Sequence, residues 1–157
     1  MAFVGTYEHS LDEKGRLVLP AKFRSDFSGA AYLTPHAGCL ALWTPEGFNE
    51  MLSRLKEQIQ NKEVAAQVRR GLAYNSTKVR PDAQGRVMIP EKLRTLASLE
   101  HEVMVCGAID WIEIWNPTTW SEMAPDLDRS VAAAFLQGSG ICPMGLRPRG
   151  RVHADTR

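Results

Sequence analysis

The chain is short of cysteine: Cys39, Cys106 and Cys142 are the only three in 157 residues, and none forms a Cys-x-x-Cys pair. So odd and scattered a set does not suit a disulfide framework or a four-cysteine zinc site, and a reducing compartment is the expectation. Long apolar runs are missing too; none approaches the ~18 residues of a membrane helix. The opening Met1-Ala2-Phe3-Val4-Gly5-Thr6-Tyr7-Glu8 lacks the basic and apolar regions of a secretory signal. Neither sign of charge dominates, with 19 Lys and Arg against 18 Asp and Glu, which excludes a polybasic coat for anionic surfaces. His9, His36, His101 and His153 are scattered, with no His-x-x-x-His pair and no cysteine at ligand spacing. Dinucleotide loop, phosphate loop and nucleophile elbow are also absent. The expectation is a cytoplasmic protein that is not an enzyme, with no metal, cofactor, small-molecule substrate or membrane partner.

What is present is a repeat. Apolar residues at 44% and charged residues at 24% are ordinary for a folded domain. Residues 11–24 and 81–94 match at an offset of 70: Asp12, Gly15, Arg16, Pro20, Lys22 and Arg24 recur as Asp82, Gly85, Arg86, Pro90, Lys92 and Arg94. A second echo pairs Leu42-Trp43-Thr44-Pro45 and Phe48 with Ile114-Trp115-Asn116-Pro117 and Trp120. Two anchors in one order indicate a tandem duplication. The first unit is placed at 1–76 with its core at about 7–54, and the second at 77–137 with its core at about 79–125. Residues 138–157, rich in Gly, Pro and Arg, are expected to form a flexible tail.

Local signals agree between the units. Asp12-Glu13-Lys14-Gly15 and Asp82-Ala83-Gln84-Gly85 carry Asp first and Gly fourth, the preference of a type I turn. The apolar runs 17–19 and 87–89 do not alternate with polar residues, which predicts short strands buried on both faces. Pro20 and Pro90 end them and can open helices over 21–27 and 91–99. Further strands are predicted at 31–34, 39–43, 102–106 and 111–115. Thr44-Pro45 and Asn116-Pro117 read as a helix cap followed by Pro in the first turn. The first such helix should run to about residue 60, with another over about 62–74. The helix after Asn116 should be interrupted at Pro125 and resume over 128–137. Trp43, Trp115 and Trp120, at repeat-matched positions, read as core, and His9 as an ordinary surface histidine.

Charge is segregated. Residues 11–24 and 78–94 carry nine Lys and Arg against four Asp and Glu, whereas residues 95–128 carry seven acids and no Lys or Arg. A lone charge run is usually a solvated face, but here the same basic residues recur beside the same turn. Arg16 and Arg86 follow a Gly turn, which should display each guanidinium at a loop tip. Arg reads guanine bidentately through O6 and N7, and Asp12 or Asp82 can orient it through a charge-assisted pair. Lys22, Arg24, Lys92 and Arg94 on the following helices suit phosphates. The residues alone are equally consistent with a plain turn-stabilising ion pair.

At these residues the sequence resembles the MraZ family of transcriptional regulators of the bacterial division and cell-wall gene cluster. The resemblance rests on Asp12-Glu13-Lys14-Gly15-Arg16, Asp82-Ala83-Gln84-Gly85-Arg86 and the opening Phe3-x-Gly5-x-Tyr7-x-His9-x-Leu11, and covers about residues 1–137. It implies an α+β fold with a mainly β core, built from two SpoVT-AbrB-type swapped-hairpin units with flanking helices, paired about a pseudo-twofold axis. It also implies ring-shaped homo-oligomers at the nucleoid, which bind G-rich direct repeats in double-stranded promoter DNA, in a role read here as repression. By the same resemblance Arg16 and Arg86 contact bases, with Lys14 and Gly15, and Gly85 in the second unit, in the DNA-binding loops. Asp12 and Asp82 support them, and Arg24 and Arg94 match further DNA-contacting arginines. Gln84 in place of Lys14 makes the loops unequal. The alternative is an antitoxin-type protein-binding module on the same fold; two units and a basic tail favour the regulator.

Overall fold

A computed structural model describes residues 2–27 and 29–136; the tail 138–157 and its expected flexibility lie outside them. In the first repeat come β1 (Thr6–Ser10), β2 (Arg16–Val18), α1 (Ala21–Arg24), a 3-10 turn (Ser25–Phe27), β3 (Ala31–His36), β4 (Cys39–Trp43) and α2 (Pro45–Gln60). The bridging α3 (Gln67–Asn75) follows. The second repeat gives β5 (Thr77–Val79), β6 (Arg86–Met88), α4 (Glu91–Leu96), β7 (Glu102–Gly107), β8 (Ile112–Trp115) and α5 (Pro117–Leu136). Two compact bodies result, the first ending at Trp120 and the second beginning at Ser121. In the second, the described part is the distal helix of α5, with Leu127, Val131, Phe135 and Leu136 exposed.

The strand order of the large antiparallel sheet is β1-β7-β8-β4-β3-β5. In terms of the repeats this sequence is palindromic, with equivalent strands equally far from a pseudo-twofold axis between β8 and β4. Within a repeat only β3–β4 and β7–β8 pair; β1 crosses to β7, β5 to β3, and β4 meets β8. A separate two-stranded sheet joins β2 to β6, Arg16 opposite Met88 and Leu17 opposite Val87. The repeats therefore interlock, as the duplicated swapped-hairpin reading expects.

Burial follows the register, because directly paired residues share a sheet face. One face of the large sheet sets Leu33, Leu40, Leu42, Val105, Ile112 and Ile114 into the core. The same core takes Leu17, Leu19, Phe23 and Phe27 from the first repeat and Val87, Ile89, Leu93 and Ala97 from the second. On the other face Tyr32 stacks on Phe48 of α2 with ring centroids 4.2 Å apart. There too the Trp43 indole N–H donates to Thr34 Oγ1 at 3.0 Å, which satisfies a buried donor. Trp43 and Trp115 are buried as expected, and Trp120 is half-buried.

Several local expectations need correction. The runs at 17–19 and 87–89 are not buried on both faces: Val18 is half-buried and Met88 exposed, since the β2–β6 sheet lays only one side on the core. Helix α1 stops at Arg24 and tightens into a 3-10 turn, and α4 stops at Leu96. Pro20 and Pro90 stand at the caps rather than inside the first turn. Thr44 caps α2 as expected, its Oγ1 accepting from Gly47 N–H at 3.1 Å. Asn116 Oδ1 accepts from Thr118 N–H at 2.8 Å. The bridging helix starts at Gln67 and not near residue 62, where Lys62 turns to φ +62. Pro125 does not interrupt α5; it lies on an exposed helix face, where the loss of one backbone donor is cheaper than in a buried helix because a freed carbonyl on such a face is open to solvent. His9 is half-buried rather than a surface residue.

Leu17 is fully buried and sits in the strand that joins the repeats. Leu17→Ala is expected to cost about 2–5 kcal/mol, measured by urea unfolding. A cost below ~1 kcal/mol would show that the shared ladder does not hold the core together.

Candidate nucleic-acid interface

Each repeat builds the same loop in front of its ladder strand. Gly15 N–H donates to the Asp12 carbonyl at 2.9 Å, and Asp12 N–H to the Arg16 carbonyl at 3.0 Å. Gly85–Asp82 and Asp82–Arg86 repeat both bonds at 2.9 and 3.0 Å. The glycines lie at φ +77, a left-handed conformation that L side chains rarely adopt. One carboxylate then organises each turn. Asp12 Oδ1 accepts from the N–H of Lys14 and of Arg16, both at 2.9 Å, and Oδ2 accepts from Arg16 Nε at 2.6 Å. Asp82 does the same with Gln84 N–H and Arg86 N–H at 2.9 Å and Arg86 Nε at 2.6 Å.

These bonds depress both carboxyl pKa values. The Arg16 backbone N–H is the largest cause at Asp12; desolvation opposes it, and the Arg16 side chain and the Lys14 N–H add to the lowering. Arg86 plays that part at Asp82. Chemically, the Asp bond occupies Nε, so the terminal Nη1 and Nη2 pair, which matches guanine O6 and N7, is not used in it. The arginines do not stand at the loop tips, as expected from sequence. They are the first residues of β2 and β6, with side chains 27% and 28% exposed, and Glu13-Lys14 and Ala83-Gln84 form the tips. Position four of the turn is the glycine, so the next residue already enters the ladder.

The other expected residues divide. Lys22 and Lys92 are exposed on α1 and α4. Arg24 and Arg94 reach back and cross. Arg24 Nε donates to the Leu19 carbonyl at 2.9 Å, while its stem lies over Gly85 of the other repeat. A Cβ on Gly85 would stand 2.8 Å from Arg24 Cδ. Arg94 Nε donates to the Ile89 carbonyl at 3.0 Å and covers Gly15, where a Cβ would meet its Cζ at 2.8 Å. The ladder continues at the same places: Leu19 N–H donates to the Gly85 carbonyl at 2.9 Å and Ile89 N–H to the Gly15 carbonyl at 3.0 Å. His9, whose pKa is lowered by burial and then by the Arg24 charge, stands near the same arginine. Sequence reasoning finds these arginines and glycines but not their crossing, nor the Leu19 and Ile89 carbonyls. The only sequence signal is the matched recurrence of both.

Elsewhere the chemistry is quiet. Among the described residues no group of three or more His, Cys, Asp or Glu can hold a metal. No described helix is long and apolar enough to cross a membrane. Cys39 and Cys106 are free thiols, and burial is the largest cause raising the pKa of each, which disfavours the reactive thiolate. Cys142 lies outside the described residues.

Known proteins bear on this geometry. The family described as "MraZ protein, putative antitoxin-like" matches residues 2–70 and 72–135. A protein of Cutibacterium acnes named "Transcriptional regulator MraZ" is 37% identical over 131 residues, covering 83% of this chain and 92% of its own. Its namesake in Nocardia farcinica is 35% identical over 139 residues, 88% and 97% respectively. That of Thermomicrobium roseum is 35% identical over 123 residues, 78% and 87%.

Two expectations test the loop. Gly15→Ala should destabilise by about 1–3 kcal/mol from the left-handed backbone, and by less when combined with Arg94→Ala, which removes the close approach; urea denaturation of the single and double variants checks this. A Gly15→Ala cost unchanged by Arg94→Ala would contradict that packing. The second concerns acid. Both carboxyls titrate below the ordinary value of 3.8, so the loop's stabilisation is complete above that value and is lost as pH falls through the lowered one. The stability gap between the parent and Asp12→Asn/Asp82→Asn should therefore be widest at neutral pH and close in strong acid. A gap that widens on acidification would refute the assignment.

Proposed function

The chain belongs to the MraZ family, and from that premise we propose that it is a DNA-binding transcriptional regulator whose two Asp-x-x-x-Arg loops read promoter bases. The family is one of regulators and not of enzymes. The observation that carries the reading is the duplicated loop, in which Asp12 and Asp82 each hold an arginine through Nε at 2.6 Å. An arginine fixed in this way loses little freedom on binding, and its Nη pair suits a guanine edge. Lys14, Lys22 and Lys92, with the guanidinium ends of Arg24 and Arg94, supply positive charge for phosphates on either side. The tandem units 1–76 and 77–137 then act as one reading head with two unequal loops, since Lys14 is replaced by Gln84.

Repression of the division and cell-wall gene cluster through repeated promoter sites, in the cytoplasm at the nucleoid, is the finer form of this proposal. Self-association into a ring would place several heads along one duplex. It is supported by α2, which has no fully buried residue, and by the exposed Val131, Phe135 and Leu136 of the distal helix.

Arg16→Ala/Arg86→Ala is expected to remove promoter preference, about 1–3 kcal/mol for each base pair no longer read, while weak binding to any duplex remains. Lys22→Ala/Lys92→Ala should weaken all duplexes alike and flatten the dependence of log affinity on log salt by ~0.9 for each phosphate no longer neutralised. Gel shifts on the DNA upstream of the chain's own coding sequence, against a shuffled duplex, measure both. Full preference in the double arginine variant would overturn the reading and leave the ion pair as a turn device. Protein capture without any DNA preference would favour the antitoxin-type module.

A further inference from the structure

We infer that Arg24 and Arg94 are positioning residues that act crosswise: the arginine of each repeat sets the reading loop of the other. The inference rests on the loop-reading proposal above and extends it from the reading arginines to what holds them. Antiparallel pairing of β2 with β6 brings Gly85 beside Leu19 and Gly15 beside Ile89. Because α1 follows β2 directly, it stands next to the second loop and not its own. A hollow of about 190 Å³ there is bounded by Leu19, Arg24 and Phe27 from the first repeat and by Asp82, Ala83 and Gly85 from the second. Arg24 closes a circuit. Its Nε–H holds the Leu19 carbonyl, the Leu19 N–H holds the Gly85 carbonyl, and its own stem covers Gly85. Arg94, Ile89 and Gly15 close the mirror circuit.

Gly85 is the residue immediately before Arg86, and Gly15 immediately before Arg16. Holding the glycine therefore fixes the backbone from which the reading arginine leaves. Asp82 orients the far end of Arg86 and Arg24 the near end, so the side chain is constrained at both. Lysine cannot replace Arg24 here. It carries a methylene where arginine has its Nε–H, so the Leu19 carbonyl loses its donor while the positive charge is kept. A residue that only grips phosphate would accept that exchange.

The test is a pair of double-mutant cycles on the full chain, with affinity for the upstream duplex divided by affinity for the shuffled one as readout. Arg24→Lys should lower that preference about tenfold, the size of one base-reading interaction, and leave the salt slope unchanged. Its effect should largely vanish in an Arg86→Ala background and persist in an Arg16→Ala background; Arg94→Lys should show the reverse. Retained preference in Arg24→Lys, or coupling to Arg16 instead of Arg86, would overturn the inference. Amide hydrogen exchange without DNA gives an independent arm. Arg24→Lys, and Arg24→Met as a second variant, should speed exchange at Gln84, Gly85 and Arg86 several-fold and spare Lys14, Gly15 and Arg16. Exchange that rises in the residue's own loop, or equally in both, would overturn the crossing. If neither Arg16→Ala nor Arg86→Ala changes preference, the loop-reading proposal falls by itself, and the exchange pattern still decides the crossing.

Discussion

The antiparallel pairing of Arg16–Val18 with Arg86–Met88 is the constraint on which the rest of the molecule depends. Two three-residue strands are too short to stand in water by themselves. They persist because Leu17 and Val87 are directly opposed and both buried, over a core that takes side chains from the two repeats. Once that ladder is in place, both loops must emerge from opposite ends of one small sheet. The remaining crossings, β1 onto β7 and β5 onto β3, then close the large sheet around the same pseudo-twofold axis.

Rigidity of the loops follows from polar bonds and not from apolar burial. Asp12 and Asp82 are exposed, and an exposed ion pair contributes little to overall stability. Their effect is local: each carboxylate accepts two backbone N–H groups and one Nε–H, which leaves the turn few other conformations. On the proposal that these arginines read bases, one held in this way is preorganised, so less of its binding energy is spent on ordering. The opposite face of the large sheet has a different character. There Trp43, Thr34 and the Tyr32–Phe48 stack seat α2, far in sequence from the loop residues.

Much of this is legible in the sequence, because duplication prints each signal twice. The offset of 70 locates both loops and both proline-ended strands, and an offset of 72 both aromatic-proline caps, from residue order alone. Three kinds of feature are not legible. Which repeat supplies the neighbour of each strand depends on long-range pairing, so the packing of Arg24 on Gly85 leaves no local mark. Burial of 17–19 and 87–89 is ambiguous because an unbroken apolar run looks alike whether one face or two are covered; the exposed Met88 shows the cost of that ambiguity. Pro125 reads as a breaker in sequence, but a single missing donor on a solvated helix does not outweigh the bonds on either side.

The most direct measurement is a structure of the chain bound to the DNA upstream of its own coding sequence. Arg16 and Arg86 should place Nη1 and Nη2 about 3 Å from base edges in the major groove, with Asp12 and Asp82 still bonded to Nε behind them. Arginines bound only to phosphates, or loops turned away from the duplex, would contradict the assignment of these loops as the reading surface.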